Sequence, residues 1–176
     1  MRATRSSLLL LSCGVAACST SPGPSAPPPG TTYPARPISG TVSASTYVAQ
    51  AASIDLFVVR SSELAQSRSA DPRLRDVAAR LIAAHTGTAA QLSLAGRRLN
   101  LLPGAAMLPQ HQAMYEELAA SSDFDRTYKR LQLSVHGAAL SLHSGYAARG
   151  TSPTLRPVAA NAAAIERSHL DMLRGL

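Results

Sequence analysis

Between Ser45 and Leu176, apolar residues recur three and four positions apart in four stretches, the spacing of one helix face. The stretches run from Ser45 to Arg68, from Asp71 to about Leu99, from Ser122 to Gly150, and from Ser152 to Leu176. Proline or glycine lies at or near most of their boundaries, and Ala and Leu favour helices over strands. The pattern therefore predicts an all-α fold with four amphipathic helices.

The connection between the second and third helices, from Asn100 to Ser122, is long enough to run the length of a bundle. A helix of about 28 residues is about 42 Å long. The connection has a short amphipathic stretch around Met114–Leu118, and about twelve helical residues would cover about 18 Å. About ten extended residues would cover about 33 Å more. This predicts a ferritin-like four-helix bundle with a long crossover between helices two and three, over residues 45–176.

The N-terminus has the pattern of a bacterial lipoprotein signal peptide. Arg2 and Arg5 precede an apolar run that is shorter than the about 20 residues a membrane-spanning helix needs. The sequence Val15-Ala16-Ala17-Cys18 resembles a lipobox, so we expect cleavage after residue 17 and lipidation of Cys18. Cys13 is a weaker candidate for lipidation, because it would leave a very short apolar run.

Residues 18–44 are rich in proline, serine and glycine, and cannot bury enough apolar surface to fold. We expect a disordered tether that reaches on the order of 80 Å at most. Lipidation of Cys18 would attach the chain to a membrane in the bacterial cell envelope. Because Ser19 and not aspartate follows Cys18, we expect the outer membrane, facing the periplasm, if the source is Gram-negative.

The net charge of +7 does not indicate nucleic-acid binding. The positive charge is almost entirely arginine, scattered along the predicted helices, and Lys129 is the only lysine. No aromatic residues interleave with the arginines as a single-strand binder would require. Solvated helix faces account for these residues, so no nucleic-acid partner is expected.

Short motifs in all four helices resemble a known family. They are Glu63-Leu64-Ala65, Leu81-Ile82-Ala83-Ala84-His85-Thr86, Phe124-Asp125-Arg126-Thr127-Tyr128 with His136, and His169-Leu170. In this order they resemble the domain of unknown function 4142 family, over about Tyr47 to Leu173. The resemblance implies a ferritin-like bundle in a bacterial envelope protein whose activity is undefined. Ala84 is a departure, since the family often has an acid before this histidine.

One candidate ligand comes from each helix, namely Glu63, His85, His136 and His169. Glu166 precedes His169 by three residues, so the two share a face of the fourth helix. Imidazole and carboxylate ligands suit Zn, Cu, Ni or Fe, and we therefore expect a site for a single divalent ion.

A di-iron site is not expected, because two of its four carboxylates are missing. Such sites need a Glu-x-x-His turn on each of two helices, but Ile82 takes the place of the acid before His85, and the third helix offers Gln132 and His136 without a glutamate. The alternative to a metal is a structural or partner-binding lipoprotein whose inward histidines only form hydrogen bonds within the core. We expect His111 and His143 to be solvated. No catalytic residue is predicted.

Overall fold

The computed structural model describes residues 42–176, and all regular structure among them is α-helical. The five helices are α1 (Ala44–Arg68), α2 (Pro72–Arg97), α3 (Pro109–Ala120), α4 (Phe124–Arg149) and α5 (Arg156–Arg174). The signal peptide, Cys18 and nearly all of the tether lie outside these residues. Among the helices described, none combines the length and hydropathy that a membrane span requires.

The four long helices form the bundle that the sequence predicts. Near the start of α1, the Tyr47 ring stacks on Tyr146 near the end of α4, with ring centroids 3.9 Å apart. Near the other end of α1, Ser62 hydrogen-bonds to Tyr128 of α4 at 2.8 Å. The two helices are therefore antiparallel neighbours.

Helices α2 and α5 are also antiparallel neighbours. Asn161 donates a hydrogen bond to Gln91 at 3.0 Å, and Arg73 donates to the Gly175 carbonyl at 2.7 Å. Since α1 and α2 form a hairpin, α2 and α4 run in the same direction and the chain must return along the bundle between them. This arrangement confirms the ferritin-like topology.

The crossover contains α3, which covers the amphipathic stretch predicted there. His111 hydrogen-bonds to Ser53 midway along α1, at 2.6 Å. Arg68, the last residue of α1, donates to the carbonyl of Ala119 at 2.6 Å. Together these contacts hold α3 along α1, and Met114 and Leu118 are buried beneath it.

The fourth long helix starts later than predicted. We expected it to begin at Ser152-Pro153, but α5 begins at Arg156. The Ser152 carbonyl instead accepts hydrogen bonds from the N–H groups of Leu155 and Arg156, which forms a turn before the helix. Asp71 caps α2 as expected, because its carboxylate accepts from the Arg73 N–H at 2.8 Å.

Two glycines of α2 should respond oppositely to alanine. A Cβ on Gly87 would meet no atom within 4 Å, whereas one on Gly96 would lie 2.3 Å from the Leu101 carbonyl oxygen. Glycine weakens a helix interior, so Gly87→Ala should raise the free energy of unfolding by about 0.5–1 kcal/mol. Gly96→Ala should lower it by about 2 kcal/mol, because the α2–crossover turn has to open. Urea denaturation measures both changes, and equal effects of the two substitutions would contradict this account.

Candidate metal centre

Four buried side chains from three helices converge near the middle of the bundle: His85 on α2, His136 on α4, and Glu166 and His169 on α5. One ligand atom from each lies within 4.8 Å of every other. Their exposed fractions are between 0 and 7 %, so water is largely excluded from the cluster. We call these four residues the histidine–glutamate cluster.

Helical spacing places each of these residues on an apolar face. His85 lies four residues after the buried Leu81, and His136 lies beside Val135 on the buried face of α4. Glu166 and His169, three residues apart, project from the same side of α5. The helix packing that buries the apolar faces therefore also buries the side chains of the cluster.

In His85 and His136, the Nδ1 atom of the ring hydrogen-bonds to a residue outside the cluster. His85 Nδ1 lies 2.8 Å from Asp55 Oδ1, and His136 Nδ1 donates to the Gln132 carbonyl oxygen at 2.8 Å. A carbonyl oxygen can only accept, so the His136 proton is on Nδ1, and the Asp55 carboxylate likewise orients His85 Nδ1–H. In the neutral rings both Nε2 atoms then carry lone pairs.

These two lone pairs face each other. The Nε2 atoms of His85 and His136 are 3.3 Å apart. The Glu166 carboxylate faces them as well, with Oε1 3.9 Å from His85 Nε2 and Oε2 3.7 Å from His136 Nε2. A cluster of acceptors at this spacing needs a proton or a metal ion among them.

The cluster also holds polar atoms without partners. Among residues 42–176, Glu166 Oε2 and His169 Nδ1 are buried and form no hydrogen bond. The His169 ring lies 5.2 Å from the His85 ring and 5.3 Å from the His136 ring, centroid to centroid. Buried groups of this kind are costly unless something binds them.

Burial favours neutral rings at two of the histidines. Burial lowers the pKa of His169 to about 4, and His85 shifts it in the same direction. Burial also lowers the pKa of His136 well below its usual range, and His85 and His169 add to this shift. Both rings are therefore in the state that offers a lone pair to a cation at neutral pH.

His85 and Glu166 are shifted the other way. Burial lowers the pKa of His85, but the hydrogen bond that His85 donates to Asp55 and the Glu166 charge outweigh it, so the pKa lies above its usual value. Burial raises the pKa of Glu166 to about 7, with His85 opposing this shift and Asp55 adding to it. Any proton that the cluster takes up beyond those of its neutral rings is therefore on His85, where it gives a positive charge, or on Glu166, where it removes the negative one.

Glu63, one of the expected ligands, does not join the cluster. Its side chain is exposed near the end of α1. Ser62, seven residues after Asp55, shares the buried face of Asp55, and the next residue is turned about 100° further around the helix. The acid that α1 contributes is therefore Asp55, which lies behind His85 and not among the four cluster residues.

Asp55 was not identified from the sequence, although a signal was present. It lies in a run of apolar residues, with Ala51 and Ala52 before it and Val58 after it on the same side of α1, all buried. Its Oδ1 accepts hydrogen bonds from both His85 Nδ1 and Thr88 Oγ1, at 2.8 and 2.9 Å. A carboxylate inside an apolar stripe indicates a buried partner.

The expectation that His143 is solvated was wrong. Its exposed fraction is 5 %, and its Nδ1 lies 3.0 Å from the Tyr47 hydroxyl. Its Nε2 lies 3.9 Å from Glu166 Oε1, beside the cluster. Burial lowers the pKa of His143 to about 4, and His85 adds to the shift. Tyr47 gives it a buried hydrogen-bond partner from α1.

The same expectation was wrong for His111, which is buried under the crossover. Ser53 Oγ accepts from the Leu108 N–H at 2.7 Å and hydrogen-bonds to His111 Nδ1. The crossover thus covers a polar pair that an isolated α3 would expose. Burial lowers the pKa of His111 to about 4 from its ordinary 6.5.

Acid should therefore destabilise the protein partly through His111. Because the folded pKa is depressed, this contribution is complete above about pH 6.5 and is lost as the pH falls toward 4. At pH 4.5 the loss should be about 2 kcal/mol relative to pH 7. His111→Asn keeps a polar partner for Ser53 but cannot be protonated there. Urea denaturation at both pH values should show a smaller acid loss in this variant, and an equal loss would contradict the assignment.

The sequence matches the model of a known family. The family model described as "Domain of unknown function (DUF4142)" matches residues 30–176, which confirms the resemblance. The chain belongs to this family. No curated protein matches the sequence.

Two solved structures share the fold. The chain is similar to "CopM in the Cu(II)-bound form", with 14% identity and a TM-score of 0.66, over 77% of this chain and 96% of that one. It is also similar to a DUF305 fragment from Deinococcus radiodurans, with 15% identity and a TM-score of 0.66, over 75% and 93% of the two chains. At these identities the likeness concerns the fold alone.

Proposed function

We propose that this DUF4142 protein binds one divalent transition-metal ion in the histidine–glutamate cluster. His85, His136 and His169 would supply imidazole nitrogens, and Glu166 a carboxylate oxygen. Nitrogen-rich sets of this kind suit Cu, Zn, Ni or Fe. The function that follows is metal binding, without a catalytic step.

The observation that carries the proposal is the pair of Nε2 atoms 3.3 Å apart. Two nitrogen ligands at about 2.0–2.1 Å from a tetrahedral ion lie about 3.3 Å from each other. Both rings are oriented through Nδ1 by Asp55 and by the Gln132 carbonyl, as metal-ligating histidines usually are. The other ligand atoms lie within 4.8 Å, so side-chain rotations would bring them to the ion.

Copper is the first ion to test. The structural neighbour described as CopM is in a Cu(II)-bound form and shares the bundle fold. Three imidazoles and one carboxylate suit Cu(II), whose affinity for such sites exceeds that of the other divalent first-row ions. Zinc is the natural comparison, because it has no redox chemistry and accepts the same ligands.

The proposed setting is the bacterial envelope. Residues 1–17 have the composition of a lipoprotein signal peptide, and Cys18 follows a lipobox-like Val15-Ala16-Ala17. Lipidation at Cys18, followed by the proline-rich tether, would hold the bundle near a membrane surface, on the periplasmic face of the outer membrane in a Gram-negative cell. Mass spectrometry of the mature N-terminus tests this part independently. A chain that is not cleaved before Cys18, or whose Cys18 carries no lipid, would exclude it.

A second candidate function has an observation in its favour. The Asp55 and Glu166 carboxylates raise the pKa of His85, so a proton on His85 can occupy the space between the two Nε2 atoms. The cluster would then be a hydrogen-bonded core that sets the helix register, in a structural or partner-binding lipoprotein. This candidate predicts no metal.

Metal analysis of the full chain after gentle purification separates the two candidates. Metal binding predicts about one ion per chain. It also predicts that adding Cu(II) or Zn(II) to about a hundredfold above the dissociation constant raises the melting temperature of metal-free protein by about 8 °C. A metal-free preparation whose melting temperature does not respond to either ion would eliminate the metal proposal.

A further inference from the structure

A pocket separate from the histidine–glutamate cluster lies between α1, α2 and the start of the crossover. Its volume is about 240 Å³. The lining includes Leu56 and Val59 of α1, Ala89 and Leu92 of α2, and Pro103 of the crossover, and Asp55 is its only acidic residue. We call this space the Asp55 pocket.

The walls offer almost no polar group other than the carboxylate. Thr86 is the second polar side chain of the lining, but its hydroxyl donates to the Ile82 carbonyl at 2.7 Å. The surroundings are therefore apolar, and Asp55 is the only acidic side chain among the lining residues. A ligand that fits must present a hydrocarbon part to the walls and a donor to Asp55.

Asp55 has one oxygen available for such a donor. Oδ1 already accepts from His85 Nδ1 and from Thr88 Oγ1. Both of these hydrogen bonds go to Oδ1 and not to Oδ2, and Asp55 itself is only 6 % exposed. A carboxylate oxygen with low exposure and apolar neighbours gains more from a charged donor than a solvated one does.

We propose that the Asp55 pocket binds a small organic cation with a short apolar tail, of the class of primary alkylammonium ions. The ammonium group donates to Asp55 Oδ2, and the tail lies against Leu56, Val59 and Ala89. A cavity of about 150 Å³ lined by apolar residues admits benzene, so a chain of about five carbons fits the larger volume here.

The same features exclude other ligand classes. Anions meet the Asp55 carboxylate at close range and are repelled. A hydrated metal ion would lose water ligands to aliphatic walls that cannot replace them. A neutral hydrocarbon or alcohol would contact the walls of the pocket but could not form the charge-assisted hydrogen bond to Asp55.

The experiment compares n-pentylammonium with n-pentanol, which has a similar shape but no charge. Both are titrated into the full chain in the presence of a chelator, and binding is followed by NMR shifts and calorimetry. Two variants report on the two parts of the site. Asp55→Asn keeps an acceptor for His85 and Thr88 but removes the charge, and Ala89→Met fills the pocket from α2.

We expect n-pentylammonium to bind the wild-type chain at least about tenfold more tightly than n-pentanol. This ratio should fall to about one in Asp55→Asn, and Ala89→Met should weaken both ligands by about tenfold or more. Equal binding of the two ligands to wild type, an unchanged ratio in Asp55→Asn, or wild-type binding by Ala89→Met would each overturn the proposal. Because the metal is removed, failure here leaves the metal proposal standing, and the reverse also holds.

Discussion

Replacing Glu166 by glutamine is expected to weaken metal binding strongly while leaving the bundle intact. Glutamine has the shape of glutamate, so the packing around its 1 % exposed side chain is kept. The ion, however, loses its anionic ligand in a site where His136 and His169 are neutral. We expect the affinity for Cu(II) or Zn(II) to fall by at least about a hundredfold, which exceeds typical losses from groups behind the ligands.

In the metal-free form, the same substitution should not lower the stability of the protein. A buried carboxylate whose Oε2 has no partner among residues 42–176 is costly, and an amide removes the charge. The free energy of unfolding of metal-free Glu166→Gln should be unchanged or raised by about 1 kcal/mol. The metal-dependent gain of about 8 °C in melting temperature should disappear.

His111→Asn is the matched control for Glu166→Gln. It alters another buried polar residue that hydrogen-bonds to Ser53 and lies outside the cluster. It should bind metal with wild-type stoichiometry and affinity at pH 7. Isothermal titration of metal-free protein measures both variants. Wild-type affinity in Glu166→Gln would show that the cluster is not the binding site.

The second large effect is expected at Asp55, which acts through His85. Asp55→Ala removes the acceptor for His85 Nδ1 and for the Thr88 hydroxyl. Because His85 and Thr88 are buried, the metal-free protein should lose about 3 kcal/mol of stability, as proteins do when one partner of a buried ion pair is removed. The His85 ring also loses its orientation, so metal affinity should fall by about ten- to a hundredfold.

Asp55→Asn distinguishes orientation from charge. The amide oxygen still accepts from His85 Nδ1, so the stability loss should be about 1 kcal/mol and the metal site should survive with reduced affinity. Urea denaturation of metal-free protein and metal titration measure the two effects separately. If Asp55→Ala and Asp55→Asn had equal effects on both quantities, the hydrogen bond to His85 would not be what positions the ring.

Much of the architecture follows from local features of the sequence. Apolar residues at helical spacing are enough to place α1, α2, α4 and α5, since each helix must bury one face. The length of the connection between α2 and α4 is enough to predict the crossover, because distance along a bundle is a matter of helix rise and chain reach. Cluster residues such as His85, His136 and His169 were identified for the same reason, as they lie on these faces.

Other features depend on the contacts that each residue makes with another segment of the chain. Gly96 looks like a weak point of α2, yet the Leu101 carbonyl of the crossover turn approaches it too closely for a Cβ. His111 looks solvated, yet Ser53 of α1 supplies a buried partner for it. Whether a polar residue can be buried is decided by its partner, and the partner is separated from it along the chain.

The sequence by itself thus determined the helices and their bundle topology, because helix period and chain length are local quantities. It also offered the four residues of the histidine–glutamate cluster, but together with Glu63, which lies outside the cluster. Only the tertiary structure decided which residues meet in the core. Asp55 lies on the buried face of α1, but its partner His85 comes from α2, and the two side chains meet at 2.8 Å only because α1 packs against α2. Helix rotation and crossing are set by the packing of all the helices together, and that information is not contained in any one of them.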